Sequence, residues 1–239
     1  MARKDTRTAA PTLMERVASV ANLLLDDLDK ELERRGHRFC RYADDCNLYV
    51  RTVKAGERVM MSAIHYLEGT LKLKVNRAKS AVAHVWARKF LGYRLLNGGG
   101  LGIAPKSLDR LKSKLRRITR RSRGKSLPDV VAELNRLIRG WVAYFRLAQA
   151  GGKMGELDQW LRRKLRCLKL KQCKRASTIG QFLQERGVKR DAAWTLAGSG
   201  KGWWRLSKTK QSHRAMGMAW FKELGLTSFA DRYALESTT

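Results

Sequence analysis

The 239-residue chain carries 51 Lys and Arg against 21 Asp and Glu, a formal net charge of +30, with 44% apolar residues. That length and apolar fraction suit one medium domain or two small ones with a real core. A surface so basic repels itself unless a polyanion neutralises it, which points to a phosphate backbone; an anionic membrane would call for a basic amphipathic helix or a lipidation signal, and neither is found.

The charge is uneven. Residues 1–97 hold 19 basic and 11 acidic residues (net +8), and residues 98–239 hold 32 and 10 (net +22). Nucleic-acid contact should therefore weigh on the second part. Cys40, Cys46, Cys167 and Cys173 form two pairs with five residues between members. That is not zinc-site spacing, and with no signal peptide or membrane-spanning run the thiols read as reduced, in a cytoplasmic protein.

Residues 1–18 are polar and poorly periodic, contain Pro11, and read as a loose leader. From Asn22 to Arg35 the period is helical: Leu24, Leu25, Leu28 and Leu32 share a face, acids load the first half, and Gly36 is a natural stop. His37–Tyr42 and Cys46–Thr52 read as two strands joined by Ala43-Asp44-Asp45. Asp is common in turns and depleted in strands, so the acids fall at a hairpin tip. Residues 55–73 return to helical period through Met60, Ile64, Leu67 and Leu71, and strand-like pieces follow at Ala81–Val85 and Lys89–Leu95. The order belongs to an α+β domain. Asn97-Gly98-Gly99-Gly100 reads as a flexible turn or linker, and beyond it the pattern is helical. One stripe holds Leu108, Leu111, Leu115 and Ile118. A second holds Val131, Leu134, Ile138, Trp141 and Phe145, and a third holds Leu157, Trp160, Leu161, Leu165 and Leu168. Two short helices are expected at 178–187 and 216–224.

Two adjacent carboxylates on a hairpin tip repel each other and are stable when solvated or beside a cation. Mg²⁺ takes oxygen ligands, commonly one or two carboxylates plus waters and substrate phosphates. Nucleotidyl transfer uses two such ions, roughly 3.5–4 Å apart. An arbitrary Asp-Asp pair is more often a wet turn. Here the aromatic and β-branched flanks Phe39, Tyr42, Leu48, Tyr49 and Val50, with Arg38, Arg41 and Arg51 around them, favour the metal reading of Asp44 and Asp45.

The run Leu23 to Gly36 followed by Arg41-Tyr42-Ala43-Asp44-Asp45 resembles the palm of bacterial group II intron reverse transcriptases. Leu71 to Ser80 resembles the family's next motif, whose lysine, here Lys79, lies near the incoming nucleotide. Lys89-Phe90-Leu91-Gly92-Tyr93 resembles the motif beside the primer end. Leu134 to Phe145 and Leu157 to Lys164 resemble the maturase, or thumb, domain. The resemblance implies an α+β partial palm over 19–97, an all-helical maturase domain over 98–239, and residues 1–18 outside the match. It implies catalytic, metal-holding roles for Asp44 and Asp45, with Tyr42, Lys79, Leu91 and Gly92 near nucleotide and primer. Two Mg²⁺ ions serve the intact family as cofactors. Its partners are group II intron RNA and, for the intact protein, a DNA target, in a bacterial ribonucleoprotein.

An upstream catalytic Asp and a Gln-Gly-Gly motif that the family carries are not in these residues, and Asp26, Asp27 and Asp29 match the helix that follows them. The chain by itself is therefore expected to be truncated and inactive as a polymerase, unless a missing palm and fingers segment is supplied in trans. A non-catalytic RNA-binding splicing cofactor and the product of a decayed gene are the alternatives.

The RNA contacts are expected from Lys112, Lys114, Arg116, Arg117, Arg120 and Arg121 in the first basic helix. Arg162, Arg163, Lys164, Arg166, Lys169 and Lys171 are expected to supply them from the third stripe. Trp141 and Trp160 read as core anchors, Trp203-Trp204 as either core or a stacking surface in a Gly/Lys-rich loop, and His37 and His213 carry no assigned role.

Overall fold

The computed structural model describes residues 13–237, with side chains described from Asn22 onward. Of the leader expected over 1–18, residues 1–12 lie outside the described residues, and 13–18 open the first helix. The chain divides into two compact units, residues 1–90 and 91–239.

In the first unit, α1 (Leu13–Arg34) buries Leu28 and Leu32, four residues apart on one face. It ends at Gly36, whose φ of +71° lets its N–H donate to Glu33 O (2.8 Å) and that of His37 to Leu32 O (2.9 Å), a glycine stop of the Schellman type. Glu31 takes the guanidinium groups of Arg34 and Arg35, whose hydrogen bonds hold its carboxyl down at about 2. Strands β1 (Arg38–Tyr42) and β2 (Asp45–Tyr49) pair antiparallel, with Arg38 opposite Tyr49 and Tyr42 opposite Asp45. Only Ala43 and Asp44 remain for the turn.

Helix α2 (Val53–His65) is capped by the Thr52 hydroxyl, which accepts from Ala55 N–H (3.2 Å), and loosens into one wide turn over Tyr66–Thr70. The strand expected at Ala81–Val85 does not form. Residues 81–84 run without regular pairing into a short 3₁₀ turn at Val85–Ala87, where His84 and Trp86 stack on each other (4.5 Å). The single strand expected over Lys89–Leu95 breaks at Leu91 and Gly92, both left-handed (φ +51° and +79°), leaving β3 (Lys89–Phe90) and β4 (Tyr93–Leu95).

The second unit opens with β4 paired antiparallel to β5 (Leu101–Ile103). Asn97–Gly100 is the turn of that hairpin, with Gly98 and Gly99 left-handed and Leu96 N–H bonded to Gly100 O (2.7 Å). The hydrogen-bonded turn lies inside the second unit, seven residues past the division of the chain.

Nine helices follow: α3 (Pro105–Ile118), α4 (Leu127–Tyr144), α5 (Gly151–Gln172), α6 (Ala176–Glu185), α7 (Arg190–Ala197), α8 (Trp203–Leu206), α9 (Lys210–Ala215), α10 (Met218–Glu223) and α11 (Phe229–Ser237). The three long ones carry the expected stripes. Helix α5 is the spine, burying Met154, Leu157, Leu161, Leu165 and Leu168, and the core runs from Ile103 through Leu115, Leu134 and Ile138 to Phe229.

Two polar clasps close this core. Asn135 on α4 donates to Gly225 O (2.7 Å) and accepts from Thr227 N–H (2.8 Å). Asp158 on α5, 4% exposed, accepts from the Ser228 hydroxyl (2.7 Å) and from Phe229 and Ala230 N–H (2.9 and 3.0 Å), so it caps α11 from a distant helix.

Candidate metal-binding hairpin and nucleic-acid interface

The hairpin tip is held from behind. Ala43 sits at φ +53°, a conformation that costs a non-glycine residue roughly 1–2 kcal/mol and persists only where neighbours fix it. Arg41 does the fixing. Its Nε and a terminal nitrogen grip Asp29 on α1 (2.8 and 2.6 Å), and its other nitrogen donates to Asn22 Oδ1 (3.1 Å) and Ala43 O (3.0 Å). Both charged partners are largely buried, at 13% and 21% exposure. Asp44 and Asp45 stay exposed to solvent. Arg41 reads in the sequence as one more phosphate contact; its role as a strut depends on α1 lying alongside, which local pattern does not carry.

Asp44 and Asp45 form a two-carboxylate set. Asp29 is committed to Arg41 and Asp26 to Lys30 (2.7 Å). No group of three or more metal-type side chains occurs among the described residues. Two wet carboxylates on a braced tip suit Mg²⁺, whose remaining positions go to water and phosphate oxygens. Tyr42 is 63% exposed beside them. Lys79 is exposed on a tight turn of the same unit, where Asn76 Oδ1 accepts its N–H (3.2 Å).

Leu91 and Gly92 lie in the second unit and serve its scaffold. Leu91 O accepts from the Tyr144 hydroxyl (2.8 Å), and Gly92 O accepts from Ala104 N–H (2.9 Å) and the Ser107 hydroxyl (3.0 Å). A β-carbon at Gly92 would lie 3.0 Å from Ser107 Oγ and 3.2 Å from Phe145 Cζ, so glycine is required by both space and φ.

The basic residues sort by burial. On α3 and the turn after it, Lys114, Arg116, Arg117, Arg120 and Arg121 are exposed and Lys112 is half-buried. On α5, Arg162, Arg163, Lys164 and Lys169 are half-buried and Lys171 is exposed. Arg166, expected among the RNA contacts, is instead 6% exposed. It donates to Met216 O (2.9 Å) and lies over the Phe221 ring (5.4 Å); burial pushes its pKa down to about 10. Arg166 is a packing residue, because its position on α5 faces α9 and α10. Lys169 lies over Phe182 (4.6 Å).

Across α3, α5 and α8, cations and rings alternate. Arg116 lies over Trp160 (5.6 Å), Lys164 lies near both Trp160 (5.5 Å) and Trp204 (5.2 Å), and Arg163 stacks on Trp204 (3.8 Å). Trp160, expected in the core, is half-buried, packing against it with one side and meeting these cations with the other. Trp203-Trp204, expected in a loop, forms α8, with Trp203 half-buried against the core and Trp204 39% exposed. Among the described residues, Arg116, Arg121, Arg163 and Lys164 have no carboxylate at ion-pair distance. Burial first, then the neighbouring Arg116 and Arg121 charges, pushes the Lys164 ammonium below its ordinary pKa. Nearby, Arg117 and Arg136 line a groove with Arg123, whose charge Glu133 offsets (2.9 Å).

A two-carboxylate hairpin followed by a helical unit with a cationic face that lacks acids defines a protein that works on nucleic acid. Residues 15–95 match the family described as reverse transcriptase (RNA-dependent DNA polymerase), and residues 108–187 match the group II intron, maturase-specific domain. No curated protein matches the chain. The two domains stand in the order of a group II intron protein and between them take in most of the chain. The chain belongs to the group II intron reverse transcriptase/maturase family. Reverse transcriptases of this type generally use Mg²⁺, and group II intron proteins bind intron RNA and DNA. No helix among the described residues is long and apolar enough to cross a membrane. The maturase match ends at 187, yet the core continues through Trp220 and Phe229, so α7 to α11 complete the same unit.

Proposed function

We propose that this chain grips structured intron RNA through the exposed faces of α3 and α5, as the maturase part of its family's splicing and mobility function. The observation that carries the reading is the cluster of Arg116, Arg121, Arg163 and Lys164, crowded together with no acid to offset it. Such an arrangement costs free energy in the free protein and is relieved when phosphates enter. The exposed residues Lys114, Arg117, Arg120 and Lys171 extend the surface. A helix-borne cationic face reads backbone and shape, which is how structured RNA is mostly recognised. The reverse-transcriptase match over 15–95 favours a reverse transcriptase/maturase over a splicing cofactor that only binds RNA. Purified protein is expected to bind a folded intron RNA domain with log K falling linearly in log salt, at a slope of about −4 or steeper for five or more phosphate contacts. Salt-insensitive or absent binding would sink the assignment.

We also propose that Asp44 and Asp45 hold Mg²⁺, with Arg41 as the residue that positions them. The bound ion would neutralise developing charge on a phosphate; the chain's own residues present the carboxylates and keep the turn in one conformation. With Mn²⁺ standing in for Mg²⁺, paramagnetic broadening should centre on Asp44 and Asp45 and vanish in the Asp44→Asn, Asp45→Asn double variant. Arg41→Lys, which keeps the charge and loses the fork, should weaken Mn²⁺ binding severalfold. Broadening that survives the double variant overturns the metal assignment, and unchanged affinity in Arg41→Lys overturns the positioning role.

A further inference from the structure

We propose that Trp204 is a stacking platform for an unpaired nucleotide, so that the α5–α8 surface takes single-stranded RNA and not only the backbone of folded helices. This rests on the RNA-binding reading above and adds the kind of RNA segment taken at this spot.

Three observations place the site. Trp204 keeps 39% of its surface exposed although a four-residue helix with a buried Leu206 anchors it to the core. Arg163 is stacked on its ring at 3.8 Å and is itself fastened, one terminal nitrogen donating to Trp204 O (3.1 Å), while its Nε is buried without a partner. An indole backed by a guanidinium is pre-ordered, so a base meeting its open surface has little side-chain freedom left to freeze. Further cations flank the ring at strand-like spacing: Lys164 lies 5.2 Å from Trp204 and 5.5 Å from Trp160, and Arg116 lies 5.6 Å beyond on Trp160. Aromatic rings interleaved with unpaired cations are what a single strand needs, bases on the rings and phosphates on the cations. A duplex hides its base faces and can use only the cations.

Other exposed rings are less well built for this. Trp194 is closed over Gly180, whose added β-carbon would lie 3.1 Å from its ring. Trp86 stacks on neutral His84 instead of a guanidinium.

The test compares two RNA probes of equal phosphate number, a 12-nucleotide oligouridylate and a blunt hairpin, against the full chain. Trp204→Ala should weaken the single strand by roughly 5- to 100-fold, the range for one lost base stack, while leaving hairpin affinity and salt slope unchanged. Trp204→Phe should restore most of the loss. An oligouridylate with abasic sites should bind the unaltered protein as weakly as the intact strand binds Trp204→Ala, the two losses not adding. Equal weakening of both probes, additive losses with the abasic strand, or no loss at all overturns the platform while leaving RNA binding standing. Failure of the unaltered protein to bind either probe overturns both readings.

Discussion

Replacing Arg116, Arg121, Arg163 and Lys164 together by glutamine is expected to lower affinity for folded intron RNA roughly a thousandfold at about 0.1 M salt, and to flatten the salt slope by about 3. The size follows from counterion release. Each phosphate contact frees roughly 0.7–0.9 of a bound cation, so at about 0.1 M salt four contacts together contribute roughly three to three and a half powers of ten. Glutamine keeps most of each aliphatic stem, so packing around Trp160 and Trp204 should largely survive while the charge is lost. These four side chains have no acidic partners, so their removal strands no carboxylate and should raise stability slightly by relieving repulsion. Higher stability together with lost binding is what separates this cluster from a merely structural one. Binding titrations across a salt series, beside urea unfolding, would show it. A loss under tenfold with an unchanged slope would place the RNA elsewhere on the chain.

Much of this protein could be read before its structure, and the reasons are local. Gly36 ends α1 because a left-handed glycine satisfies two orphan carbonyls, which is chemistry contained in neighbouring residues. The hairpin closes with Tyr42 opposite Asp45 because Asp belongs in turns and its flanks in strands. The helices α3, α4 and α5 are long enough, at 14, 18 and 22 residues, for a 3.6-residue period to declare itself.

What escaped depends on distance along the chain or on short length. Helices α7, α8 and α11 have eight, four and nine residues, too few for periodicity to outweigh Gly and Lys nearby. The stretch at Ala81–Val85 has strand-like composition but finds no partner strand, and composition without pairing makes no ladder. Arg166 stands in a run of exposed-looking cations, and only the return of the chain 50 residues later, with Met216 O, gives it a buried acceptor. The same holds for the candidate site. Asp44 and Asp45 were legible as a pair, but the Arg41 brace and the placing of Trp204 against Arg163 are tertiary facts.

Asp158 is the clearest case of such a fact, and it carries the second large effect. In the sequence it is one acid inside a basic helix. In the structure it is 4% exposed and holds three donors at the start of α11, across 71 residues in the case of Phe229. Asp158→Ala would leave Phe229 N–H, which is buried, without an acceptor, and would loosen the Ser228 hydroxyl and Ala230 N–H as well. A buried donor left unsatisfied costs about 1–3 kcal/mol, and loss of a helix cap about 1 kcal/mol. The expected destabilisation is therefore about 3 kcal/mol, read as a fall in the urea midpoint. Because α11 closes over Trp141 and Tyr233 reaches back to Ala148 O, the loosening should spread into α4 and α5. Asp158→Asn, which keeps one oxygen acceptor, should cost less than Asp158→Ala. Equal losses in the two variants, or a loss below about 1 kcal/mol in Asp158→Ala, would mean that apolar packing of Phe229 alone holds α11. In that case the charged clasp would have to be explained by something other than stability.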